Sequence, residues 1–318
     1  MTDGFKMIDM PVKPLVAKTI LKGEIAMKKL VSILLVCLLL CTAVPFCGFA
    51  ADDAMKVVIS LEGFTLGEGY FVEPTAYTVD QINKLVEKDN LGTFTEDTLT
   101  AGAVTIAMLN DKNLSREIKN SPWDGKDYFY LGQVNDIDTG KVAFPAVVTE
   151  NGGPSNTDYV PNTDKNLGEF DYMSYSGWMI TVNDSFIGSS AWDCVLKKDT
   201  ANTAYGNTYV IRWQFTLGEY NGLDTNRVLG YPGWDGSDPY FPHANKDQAM
   251  IAYAESSNSA AKAEAKPVLE KLDATQAEVD ATIPALNAPE ESAPSFWDRI
   301  VAFFNSILAF FKNLFKIG

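Results

Sequence analysis

The sequence predicts an α+β protein that is mainly β, with a helical segment and an amphipathic C-terminal helix after the β body. Three observations carry that prediction. Short runs rich in β-branched and aromatic residues, broken by Gly, Asn and Pro turns, fill residues 51–244. Beyond Asn245 the composition changes to Ala, Glu and Lys. After Pro294, apolar residues recur at helical spacing with a thin polar stripe opposite them.

In chain order, residues 27–50 read as a secretory signal. Lys28 and Lys29 precede an apolar run from Leu30 to Val44, and small residues lead to a cleavage site after Ala50. That run is shorter than the roughly 20 residues a membrane-spanning helix needs. Phe46 before Cys47 disfavours a lipid-attachment signal. Residues 1–26 are expected to be a spurious extension with translation starting at Met27, because Lys22-Gly23-Glu24 can be encoded by a purine-rich ribosome-binding sequence. Cleavage removes Cys37, Cys41 and Cys47 and leaves Cys194 alone. A lone thiol in an exported chain reads as a small buried hydrophobe.

Within the body, strands are expected at Lys56–Ser60, Ala143–Thr149, Trp178–Val182 and Tyr209–Phe215. In the last, Tyr209, Ile211, Trp213 and Phe215 alternate with Val210, Arg212 and Gln214, which predicts a strand with one face on a core. Turns are expected at Glu62-Gly63, Asp124-Gly125, Asn151 to Pro154 and Tyr205 to Asn207. Val79, Ile82, Leu85 and Val86 share the face of a helix over 79–88. Over 245–288, one helix is capped by Asn245 and a second by the pair Thr275 and Glu278, with Pro267 separating or kinking the two and Pro284 limiting the second. Residues 289–294 form a short polar linker.

On the wheel of 295–318, Trp297, Ile300, Phe303, Phe304, Ile307, Phe311 and Leu314 lie on the apolar face. These are the expected contacts to a membrane surface or to a partner helix. The tail carries three basic residues and one acidic, whereas residues 51–244 carry 13 basic and 28 acidic. A weakly cationic, strongly apolar tail on an acidic body suits an interfacial helix.

The whole chain has 26 Lys+Arg against 41 Asp+Glu and one His, a formal charge of −15. Such a balance excludes a nucleic-acid partner, whose phosphates need clustered cations. His243, in Phe241-Pro242-His243-Ala244, has no acid or nucleophile at a recognisable spacing and reads as an exposed loop residue. Nucleophile elbows, zinc-protease motifs and phosphate loops are absent from the sequence, and no cofactor or metal is expected. Asp136-Ile-Asp138-Thr-Gly140 and Asp235-Gly-Ser-Asp238 resemble pieces of calcium loops but lack the full spacing. Exposed turns make Trp123 and Trp234 candidate stacking platforms for a ligand.

The most distinctive segment is Tyr175-Ser-Gly-Trp-Met-Ile-Thr-Val-Asn183. With Cys194-Val-Leu-Lys-Lys-Asp199, Gly206-Asn-Thr-Tyr-Val-Ile-Arg-Trp213 and Leu217-Gly218, it resembles the transcobalamin-like C-terminal domain family of bacteria. Tyr128-Phe-Tyr-Leu-Gly132 and the strand from Lys56 to Gly63 resemble further elements of that family, and the resemblance covers about residues 54–222. Leu131 to Gly177 is longer than the family pattern, and Thr200 to Tyr205 interrupts its turn. Ala274 to Asp280 separately resembles half of a FIVAR helical module of bacterial surface proteins.

The resemblance implies a small antiparallel, β-grasp-like domain that is not an enzyme. In vitamin carriers the related domain helps cover cobalamin, so it also implies a small-ligand role, with Trp178 and Asn183 joining Trp123 and Trp234 as candidate contacts; core packing is the other reading of Trp178, Trp192 and Trp213. The combined expectation is a secreted, cell-surface-associated binding or adhesion module. Small-molecule capture, of a corrinoid for example, is the alternative, and an extracellular hydrolase is third.

Overall fold

The computed structural model describes residues 54–119, 129–202 and 205–290. The leader, Trp123 and the whole C-terminal tail, with Trp297, Ile300, Phe303, Phe304, Ile307, Phe311 and Leu314, lie outside the described residues.

The architecture is mixed α/β. Its first strand, β1 (Lys56–Glu62), pairs antiparallel with β2 (Tyr70–Thr78) to form a hairpin. Thr78 then caps α1 (Val79–Val86) through a capping box with Gln81, and α1 buries Ile82 and Val86 as its periodicity predicts. After β3 (Leu99–Thr100) comes α2 (Ala101–Asp111), capped by the Thr100 side chain on the Ala103 amide. Ten of its residues, Ala101 to Asn110, are buried. A helix enclosed on every side has no polar face to create a periodic signal, which is why the sequence does not disclose it.

Next come β4 (Arg116–Lys119), β5 (Tyr130–Val134), α3 (Ala146–Thr149) and β6 (Leu167–Gly168), with β4, β5 and β6 forming a three-stranded sheet. The expected strand over Ala143–Thr149 is instead the one-turn helix α3, which starts directly after Pro145. Then follow β7 (Gly177–Val182), β8 (Ser185–Phe186), β9 (Val195–Leu196), paired with β3, and β10 (Thr208–Thr216).

The main sheet runs β2-β1-β10-β7-β8. At its centre β1 and β10 are parallel, Val58 opposite Val210 and Leu61 opposite Trp213, so the sheet is mixed rather than antiparallel. On one face, Ile59, Leu61, Ile211, Trp213 and Phe215 pack in the core. The Trp213 indole donates to Thr105 Oγ1 on α2 at 2.8 Å, and the Trp178 indole donates to Leu167 O at 2.9 Å. Both indoles therefore have their polar atom satisfied inside the core.

The opposite face is covered too. Every residue of β10 is buried, so the expectation of a single buried face is corrected. Its cover is α4 (Asp247–Glu255), whose Met250 and Ile251 pack on Val58 and Val210. Behind α4 lie α5 (Ser259–Glu270), capped by Asn258, and α6 (Gln276–Asn287), capped by the Thr275–Glu278 box. Residues 245–288 are thus three helices, not two, and they close the sheet. The break falls at Ser256 to Asn258, while Pro267 and Pro284 sit inside helices. Each proline lies in the last turn of its helix, three residues before the end, so the bond it forgoes is the single one to the carbonyl four residues earlier.

Candidate functional site

Two places hold polar or aromatic groups that core packing alone does not account for. The first is a loop cluster built from residues 169–176, before β7, and 217–223, after β10. Phe170 N–H donates to Ser176 O at 3.1 Å, Met173 N–H to Asp171 O at 2.9 Å, and Tyr175 N–H to Gly218 O at 3.0 Å. Across the second loop, Glu219 N–H donates to Leu223 O at 2.8 Å and Gly222 N–H to Glu219 O at 3.1 Å. Gly218 permits this close approach, since a Cβ there would stand 2.3 Å from Thr225 Cγ2.

This scaffold exposes aromatic rings. Tyr220 is 80% exposed, Phe170 67% and Tyr175 53%. The Tyr175 and Tyr220 centroids lie 6.3 Å apart with planes inclined by 31°. Phe170 and Tyr172 both hold left-handed backbone, at φ 67° and 68°, a costly conformation for bulky side chains. Tyr172 turns inward and donates to the buried Asp138 carboxylate at 2.7 Å. Asp138 also accepts from Gly140 N–H and Asn162, so this carboxylate of the first calcium-like segment is already taken by protein donors. Asp235, in the second, accepts from Ser237 N–H at 2.9 Å. Among the described residues no group of three or more His, Cys, Asp and Glu can hold a metal.

The second place is a charged layer between the sheet and α4. Arg212 on β10 meets Glu62 on β1 through two hydrogen bonds, and Ser60 Oγ donates to Glu62 Oε1 at 2.6 Å. Lys246, also buried, donates from Nζ to Leu269 O and Lys271 O, both at 2.8 Å, closing the end of α5, and lies 5.1 Å from the Phe64 ring centroid. Burial, with help from Arg212, lowers its pKa to about 7. Burial and the Asp184 charge raise Asp247 to about 7. The Tyr70 hydroxyl and Asp247 Oδ1, both buried, have no hydrogen-bond partner among the described residues. Burial pushes the Tyr70 hydroxyl well above the ordinary tyrosine range.

At the edge of this layer Asp184 accepts from Tyr231 Oη at 2.9 Å, and His243 Nε2 lies 2.8 Å from both its oxygens. The His243 ring stacks on Tyr231 at 4.2 Å, which in turn meets Phe186 at 4.6 Å. His243 is therefore held in place, not a free loop residue. Its Nδ1 side faces Gly230, where a Cβ would stand 3.1 Å away.

The residues singled out in the sequence are dispersed by the fold. Trp178 is 1% exposed and lies in the core, where a surface ligand cannot reach it. Asn183 and Asp184, at φ 48° and 61°, form the two-residue turn between β7 and β8, and the Asn183 side chain accepts from Val210 N–H at 3.0 Å. Its side-chain carbonyl is thereby committed to β10. Trp234 is 77% exposed, as its turn suggests, but no ring contact links it to the loop cluster. Cys194 is half-buried, and burial raises its thiol pKa. Phe170, Tyr175 and Tyr220 escape a sequence search; the one available signal is the doubled Gly-Glu-aromatic of Gly168-Glu169-Phe170 and Gly218-Glu219-Tyr220.

No protein-family model matches the chain, and neither a curated protein nor a solved structure matches it. Among the described residues no helix is long and apolar enough to cross a membrane.

Proposed function

We propose that the chain is an exported, cell-surface-associated binding or adhesion module without catalytic chemistry, built on a β-grasp-like domain of the transcobalamin-like kind. The observation that carries this reading is the loop cluster: Tyr175, Tyr220 and Phe170 are exposed on two loops that hydrogen-bond to each other, on top of a buried sheet. Exposed aromatics held on an ordered scaffold favour recognition, because their burial by a partner releases apolar surface at little cost in conformational freedom. The β-grasp-like reading is supported by the order β2-β1-β10-β7-β8 with its parallel central pair. The apolar tail supplies the attachment to a membrane surface or partner helix in this reading.

Sedimentation of the purified mature chain with isolated bacterial cell envelopes tests the proposal. The wild type is expected to co-sediment, and the double variant Tyr175→Ala/Tyr220→Ala to remain in solution with an unchanged circular dichroism spectrum. Equal sedimentation of both would overturn the assignment of the loops. An absorbance shift of cobalamin at micromolar concentration would move the reading to corrinoid capture, and turnover of glycan or peptide pools would move it to a hydrolase.

A further inference from the structure

Resting on the module reading above, we infer that the Tyr175–Tyr220 pair is a stacking site for the rings of an uncharged polysaccharide. The ligand class follows from what the two loops contain and from where their charges are spent. Residues 168–176 and 217–223 include no Lys or Arg, so nothing there would neutralise phosphate, sulfate or uronate groups. The body is also strongly acidic, which repels anionic polymers over the longer range.

A cationic ligand fits little better. The Glu169 carboxylate is taken by Lys119 at 2.6 Å, and Asp171 accepts from Gly168 N–H at 2.7 Å. Asp224, just beyond the second loop, caps the Asn226 and Arg227 amides at 2.9 Å each. Glu219 is the carboxylate left facing solvent beside the rings.

What remains is an exposed aromatic pair whose chain neighbours Ser174 and Asn221, also exposed, carry a hydroxyl and an amide. A protein interface of ordinary size needs a broad apolar centre. Two small exposed rings with polar chain neighbours instead match a pyranose: one face of C–H bonds for the electron-rich ring, and a rim of hydroxyls for carboxylate, amide and hydroxyl partners. Two exposed rings 6.3 Å apart, inclined by 31°, offer consecutive contacts along a chain of sugars rather than a pocket for one.

Affinity electrophoresis of the mature chain through gels containing an uncharged β-glucan, xylan or mannan tests the inference, with polygalacturonate and polylysine as charged comparators. Retardation by at least one uncharged polymer is expected, weakened about tenfold by Tyr175→Ala or Tyr220→Ala, which is about 1.4 kcal/mol. Tyr175→Phe and Tyr220→Phe are expected to keep the retardation, since the ring face is retained. Retardation by no uncharged polymer, or retardation indifferent to both alanine variants, would overturn it. If the wild type still co-sediments with cell envelopes through the same tyrosines, the ligand class fails and the module reading stands; if it does not, both fail.

Discussion

Arg212 and Glu62 face each other from adjacent parallel strands, with Nε to Oε1 at 3.0 Å and Nη2 to Oε2 at 2.8 Å, and both side chains are almost wholly withdrawn from solvent. Two charges buried together gain from each other but have lost their hydration, so removing one costs far more than removing both. Glu62→Ala is expected to destabilise the fold by about 3–5 kcal/mol, as is Arg212→Ala. The double variant Glu62→Leu/Arg212→Leu is expected to lose clearly less than the sum. Urea unfolding of the four proteins checks this, and strict additivity would contradict the arrangement.

Lys246 and Asp247, consecutive at the start of α4, give the stability a pH dependence of unusual shape. Asp247 is raised from 3.8 to about 7 by burial first and by Asp184 second, so the folded state favours its neutral form. Its contribution is complete below pH 3.8 and is lost as the pH rises through about 7. Lys246 is lowered from 10.5 to about 7, again by burial first, so its contribution is present above 10.5 and lost as the pH falls through about 7. Together they place a stability minimum near neutrality, with Arg212, Glu62, Asp184 and Asp273 as the surrounding charges. Asp247→Asn is expected to flatten the fall between pH 4 and 7 and to raise Tm at pH 7. Thermal melts across that range that stay parallel to wild type would contradict it.

Trp213 and Thr105 link the sheet to the enclosed helix α2 by a buried hydrogen bond of 2.8 Å. Thr105→Val keeps the volume and leaves the indole N–H without its partner. The expected loss is about 1–3 kcal/mol, the cost of an unpaired buried donor. Thr105→Ser, which keeps the hydroxyl, is expected to lose less. Equal losses for the two variants in urea unfolding would assign the effect to packing alone.

Local signals were legible where one residue type does one job. The Thr275–Glu278 box and the face of Ile82 and Val86 stand in the structure, and β10 is a strand where one was expected, though it is buried on both faces. Failures occur where the deciding contact comes from far along the chain. Arg212 and Gln214 look like a solvent face because nothing nearby announces that Met250 and Ile251 of α4 will pack on this side of the sheet at Val210, or that Glu62 will pair with Arg212. His243 has no partner at a local spacing because Asp184 lies 59 residues away. Similarly, Tyr175 and Tyr220 become a pair only when Tyr175 N–H bonds to Gly218 O. Trp178 is prominent in the sequence and buried in the fold, since large aromatic residues serve cores and surfaces alike.

Phe170 offers a test that separates recognition from stability. Its backbone is left-handed at φ 67°, while its side chain is 67% exposed and contributes little to the core. A non-glycine residue in that conformation costs about 1–2 kcal/mol. Phe170→Gly removes the conformational penalty but also loosens the unfolded chain, which offsets part of the gain. The variant is therefore expected to be as stable as wild type or up to about 1 kcal/mol more stable. Binding to cell envelopes is expected to weaken, because the exposed ring is lost. Phe170→Ala removes the same ring while keeping the strain, and is expected to bind as weakly as Phe170→Gly with lower stability. Were Phe170→Gly instead clearly destabilised and unchanged in binding, the ring would be a packing element of its loop, and the strained backbone would have no part in recognition.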